Sequence, residues 1–183
     1  MQIGNTMIIN KMKLVYFIFL LCFFIMNSSA QTYNAGVVEE SAVKYFCDNV
    51  LKKEARINQL KIQFNGATNG KPSNVYDVAN CLEDINLLKD SIPNKEYLDS
   101  LERKYFQIKS NVIKISSKCE RFSKRSLFKR NYYRLYLYNA IEYNEIYCVE
   151  FFLANKNYNT FTIIVFLDKK FVPMSYCIKA ITY

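Results

Sequence analysis

Residues 161–167 read FTIIVFL, a run without a charge that ends at the polar triplet Asp168-Lys169-Lys170. A segment apolar on both faces is buried on both faces, which places it as a strand at the centre of a sheet. Its neighbours share the character. Residues 132–138, 145–153 and 171–181 are rich in Tyr, Phe, Ile and Val, and turn-forming stretches at 154–159 and 168–170 separate them. Connections this short favour antiparallel pairing of successive strands, so the last third of the chain reads as a four-stranded meander. One face of the central strand is expected to pack on helices. The other, holding Ile164 and Phe166, needs a cover: a curled sheet, a second copy of the chain, or a ligand.

The helices lie upstream. Val43, Phe46, Cys47, Val50 and Leu51 recur at helical spacing, with Glu39 and Glu40 ahead of them and Lys52 and Lys53 behind, which predicts a helix over about residues 37–55. Leu60, Ile62 and Phe64 alternate with polar residues as a half-buried strand does. Asn65-Gly66 and Asn69-Gly70-Lys71-Pro72 read as a turn. Ser73 or Asn74 is placed to cap a second helix carrying Val78, Cys81, Leu82, Ile85 and Leu88, which Pro93 stops. Leu98, Leu101, Tyr105 and Ile108 suggest a third helix, and Val112–Ile115 either a short strand or its continuation. The expected fold is α+β, with N-terminal helices on a C-terminal antiparallel sheet of four to six strands, curved and cone-like. The order of elements over residues 37–183 resembles that of the nuclear transport factor 2-like fold. No motif specific to that family is present, so the resemblance assigns no residue a role.

Ahead of the domain, residues 11–31 read KMKLVYFIFLLCFFIMNSSAQ: Lys11 and Lys13, an uncharged apolar run from Leu14 to Met26, then the small residues Ser28 and Ala30. That is the layout of a secretory signal peptide cleaved before Gln31, leaving 31–183 as a single domain. The apolar run is shorter than the about 20 residues of a spanning helix, and a retained anchor is the alternative. The expected destination is a bacterial periplasm or the outside of the cell, with no stable membrane span after cleavage. The absence of an Asn-x-Ser/Thr sequon in 31–183 leans the same way. An oxidising destination permits disulfides, but Cys47, Cys81, Cys119, Cys148 and Cys177 are odd in number, so one stays unpaired.

Residue types exclude much chemistry. The chain has no histidine, which removes Ser-His-Asp triads, Cys-His pairs and the common zinc sites. Four glycines leave no G-x-G-x-x-G or phosphate-cradling loop. No cofactor, metal or catalytic residue is assigned on this basis. Glu83 and Asp84 are neighbours on a predicted helix and point about 100° apart, as a solvated pair does. Glu150 differs: it alternates with Cys148 and Phe152 on an apolar strand face, where a carboxyl pKa rises. It is the pocket candidate. Against it stand an edge position or a salt bridge to Arg134.

Charge is concentrated. Residues 103–134 carry eleven Lys or Arg against Glu120 alone, out of 25 and 16 in the whole chain. Within this segment Arg121, Lys124, Arg125, Lys129 and Arg130 interleave with Phe122, Phe128, Tyr132 and Tyr133. Such a pattern suits nucleic acid, but export disfavours that partner and favours an acidic protein or an anionic surface. The plainer alternative is a solvated connection whose aromatics dock into the core. Together these features lead to the expectation of an exported, non-enzymatic protein-binding module, such as an immunity or inhibitor protein acting on a toxin or hydrolase. Its recognition elements would be the sheet face and residues 121–134. A ligand or enzymatic pocket using Glu150, and a structural or adhesion role, are the alternatives. Intact-mass measurement of the exported form should give a chain starting at Gln31; a mass retaining residues 1–30 in a membrane fraction would make the apolar run an anchor.

Overall fold

The computed structural model describes residues 36–87, 94–107, 112–116, 119–123, 132–156 and 159–182. Its first helix, α1, runs through Val37–Tyr45, a π-helical turn at Phe46–Val50 and a last α-turn at Leu51–Lys53. Gly36 begins it at φ 100°, and a side chain there would meet Ile113 Cγ2 at 3.0 Å. The Gly36 N–H donates to Glu39 Oε2 at 2.9 Å, closing the helix start. A second helix, α2, spans Val75–Asp84, and a third, α3, Lys95–Gln107. The α2 cap is Asn74, whose side chain accepts the Tyr76 and Asp77 N–H groups. The helix closes at Ile85 rather than at a proline; Leu88, Pro93 and Ile108 lie outside the described residues.

Eight strands form one mixed, mostly antiparallel sheet. They are β1 Ile62–Gln63, β2 Thr68–Pro72, β3 Phe122–Ser123, β4 Tyr133–Asn139, β5 Ile141–Tyr143, β6 Ile146–Ala154, β7 Asn159–Leu167 and β8 Pro173–Thr182. The antiparallel path β4-β6-β7-β8 is the expected meander. Two corrections apply. The segment read as a turn around Asn69-Gly70 is strand β2, paired in parallel with β4 (Thr68 opposite Leu137). Gly66 and Gly70 adopt φ 76° and 74°, so the sequence's turn chemistry is present, but pairing with β4 overrides it. The strand expected at 145–153 is β6, and a further strand not expected, β5, pairs with it in a hairpin turned by Asn144 and Glu145 at φ 46° and 67°. Residues 112–116 do not continue α3: Lys114 bridges Ala67, and the Ile115 N–H donates to the Gly66 carbonyl.

Strand β7 sits between β6 and β8 and is buried on both sides, as its sequence requires. Ile163, Val165 and Leu167 pack with Val149, Phe151 and Leu153 of β6 against Val38, Val43, Phe46, Val50 and Leu51 of α1. Phe46 stacks on Phe151 with ring centroids 4.5 Å apart. Ile164 and Phe166 face the other way and pack with Cys148 and Cys177 against Val78, Leu82, Leu98 and Leu101 of α2 and α3. The second face is therefore covered by helices of the same chain, not by a curled sheet, a second copy or a ligand. Period-2 alternation on β7 puts a separate core on each face, each core burying large side chains at about 1.5–3 kcal/mol apiece.

Each core carries one disulfide. Cys47 of α1 joins Cys119, and Cys81 of α2 joins Cys177 of β8. Loops of 72 and 96 residues are closed, each restricting the unfolded chain by about 4–5 kcal/mol on the loop-entropy model. Cys148 is the free cysteine among the described residues, fully buried, and burial pushes its thiol well above the ordinary range. A thiol reagent should therefore find no Cys148 in the native, non-reduced protein and one after denaturation; prompt labelling of Cys148 in the native state would show an open core.

Candidate functional site

The site begins with an interruption in the sheet. β4 and β5 run one after the other along the same edge of β6, Leu137 opposite Phe151 and Ile141 opposite Cys148. Four steps on one side are thus matched by three on the other, and one extra residue is accommodated among Tyr138, Asn139 and Ala140. Backbone groups left without a ladder partner must be satisfied some other way when buried. Two side chains from outside the sheet do this. Ser73 Oγ accepts the Glu150 N–H at 3.1 Å, and the Ser73 N–H donates to the Asn139 carbonyl at 3.0 Å. Glu39 Oε1, from the first turn of α1, accepts the Ala140 N–H at 2.9 Å.

Glu150 lies opposite this interruption, on the sheet face shared by Cys148 and Ile164. Its side chain forms part of the wall of a cleft of about 440 Å3, with Gly70, Lys71 and Pro72 of β2, Ser73 and Asn74 of the link, Val75 of α2, Glu102, Tyr105 and Phe106 of α3, and Tyr138 of β4. Glu150 is only 5% exposed, and its Oε2 accepts the Asn74 N–H at 2.8 Å. Burial pushes its carboxyl up to about 7; the Asn74 N–H opposes that rise and the Asp77 carboxylate adds to it. The Tyr138 hydroxyl is raised first by burial and then by the nearby Glu150, and the Asn69 side chain hydrogen-bonds it. Tyr105 fixes α3 to the sheet: its hydroxyl accepts the Glu142 N–H at 2.7 Å and donates to the Glu142 carbonyl at 3.1 Å. Tyr76 and Asp99 hydrogen-bond between α2 and α3. Phe106, 69% exposed, stands at the rim.

The other expected site residues lie apart from this cleft. Arg134 is exposed and opposite Ala154, four residues from Glu150 along β6, so the alternative salt bridge does not account for Glu150. Tyr133 packs on the α1-side core, its ring centroid 5.9 Å from that of Phe161. Phe122 packs there too, against Phe46 and Phe64. Arg121 is exposed, and its guanidinium donates to the Asn58 carbonyl. Tyr132 is half-buried. Lys124, Arg125, Lys129 and Arg130 lie outside the described residues. At the described ends of the basic segment, Phe122 and Tyr133 pack on the core. Cys81, Cys177 and Asp84 bring their ligand atoms within 4.8 Å of one another, but the two sulfurs are spent in the disulfide.

The cleft unites residues the sequence left separate. Glu102, a second acid, comes from a helix read only for its apolar face, and Lys71 and Ser73 from a stretch read as turn and cap. The alternation around Glu150 was the one signal that pointed here. The chain matches no protein-family model, and no curated protein or solved structure matches it either.

The raised Glu150 pKa has a signed consequence. The unfolded chain releases this proton near 4.5 and the folded chain near 7, so the folded state holds more protons between those values. Stability therefore falls as pH rises through that window, at up to about 1.4 kcal/mol for each pH step of one and about 3 kcal/mol in all, and then levels. Glu150→Gln should match the parent at about pH 4 and exceed it by about 2–3 kcal/mol at about pH 8, measured by denaturant unfolding. A variant whose curve follows the parent across the whole range would make Glu150 an ordinary solvated carboxylate.

Proposed function

We propose that this protein is an exported, non-enzymatic binding module, of the kind that neutralises a toxin or inhibits a hydrolase, and that its partner engages the Glu150 cleft. Two disulfides suit an oxidising compartment, and among the described residues no helix is long and apolar enough to cross a membrane. A chain without histidine lacks the commonest proton-transfer group at neutral pH. The observation that carries the reading is a carboxyl only 5% exposed that nevertheless lines an open cleft. Groups of this sort are costly to hold in place and cluster where a protein meets its ligand. This reading centres recognition on the pocket candidate Glu150 rather than on residues 121–134. Helices cover much of both sheet faces, so recognition moves from a bare face to the cleft between β2, β4, β6 and α3.

A small-ligand pocket is the second reading, favoured by the cleft's volume, which falls in the about 300–1,000 Å3 range of small-molecule sites. The experiment is affinity capture from the native envelope fraction on immobilised protein, run beside folded Glu150→Gln and Phe106→Ala variants. A protein retained by the parent and lost from both variants is the expected result. Equal retention by all three would remove the cleft from recognition, and a small molecule released from denatured parent alone would favour the second reading.

A further inference from the structure

We infer that the Glu150 cleft selects a protonated alkyl amine, either a lysine side chain of a protein partner or a small free amine. The inference rests on the cleft being the recognition seat. Its charged lining consists of Glu150 on β6, Glu102 on α3 and the exposed Lys71 on β2, two acids against one base. Asp77 lies near enough to act on Glu150 and adds to the negative field. Three of the remaining lining residues, Tyr105, Tyr138 and Phe106, are aromatic. Acids combined with aromatic rings form the environment that attracts an alkylammonium group, which is drawn to ring faces and to carboxylates alike. An anion would meet both acids instead, and a neutral ligand would leave the buried carboxyl uncompensated.

The hydrogen bonding narrows the choice between cations. Glu150 Oε2 already accepts the Asn74 N–H at 2.8 Å. A guanidinium draws its advantage from a two-oxygen fork, and at Glu150 that fork would have to share Oε2 with the Asn74 N–H. An ammonium needs one strong acceptor and an aromatic surround. The α3 wall is held in place independently of any ligand by the Tyr105–Glu142 and Tyr76–Asp99 contacts, so the aromatic side of the cleft is formed in advance.

The test is titration of the isotopically labelled exported chain, followed by NMR at Glu150, Tyr105 and Tyr138. Five probes are compared: n-butylammonium, N-acetyl-lysine methylamide, its arginine counterpart, n-butanol and butyrate. The two amines should shift these resonances, with butanol, butyrate and the arginine derivative about tenfold weaker, and Glu150→Gln should weaken the amines about tenfold. Tighter binding of the lysine derivative than of butylammonium would assign the amine to a protein side chain, and the reverse to a free small molecule. If Glu150→Gln does not fold, Glu102→Gln and Phe106→Ala should each weaken the amines about threefold. Butanol or butyrate binding as well as the amines would overturn the ligand class while leaving the binding module standing. An arginine derivative equal to the lysine one would overturn the choice of ammonium. Absence of any cleft shift with all five probes would overturn the inference outright, and affinity capture would then judge the binding module separately.

Discussion

The arrangement turns on a gap in one hydrogen-bond ladder. Strand β6 is served along one edge by two consecutive strands, and where β4 hands over to β5 the register slips by a residue. The backbone groups freed there are buried, and leaving one unsatisfied costs about 1–3 kcal/mol. Ser73 reaches in from the link before α2 and Glu39 from the first turn of α1. Each helix is thereby tied at its start to the same few residues of the sheet, from opposite faces. Glu150 lies opposite this gap, in the lining of the cleft. The starts of α1 and α2, the irregularity in the sheet and the cleft meet at this one slip.

The central strand imposes the second constraint. With Ile163, Val165 and Leu167 on one face and Ile164 and Phe166 on the other, β7 fits only between two covering layers. The chain meets this with α1 on one side and α2 with α3 on the other. The second layer does not extend over all of its face. Tyr136 is 38% exposed and its ring lies 6.2 Å from that of Phe152, on the strip of sheet that runs past Glu150 away from α2. The carboxyl therefore stands at the border between a dry core and a wetter, aromatic surface, which is why it is desolvated and reachable at once.

How much of this the sequence disclosed depends on the range of the interaction. The central strand, the meander, α1 with its acids first and bases last, and the Asn74 cap follow from local period and local hydrogen bonding, and they were legible. Strand β2 was not, because Gly66 and Gly70 carry turn chemistry and only its parallel partner β4 makes it a strand. The β5–β6 hairpin hid behind an Asn-Glu pair that lacks the usual glycine. An amphipathic pattern announces that a helix has an apolar face but not which side of a sheet receives it, so the cover over Ile164 and Phe166 was open until the topology was known. The cleft is the extreme case. Lys71, Glu102, Tyr138 and Glu150 are far apart in the chain, and only the alternation around Glu150 marked any of them in advance.

The two disulfides overlap in sequence: one spans residues 47–119 and the other 81–177, each fastening a helix on its own side of the sheet. A single backbone cut between 47 and 81 leaves the fragments joined by the first bridge. One between 119 and 177 leaves them joined by the second, and one between 81 and 119 by both. No single nick from residue 47 to residue 177 can release a piece of the protein while both bridges stand. This interlock turns a proteolytic cut that would normally shed a fragment into a local scar, with the cleft's walls still attached to one another.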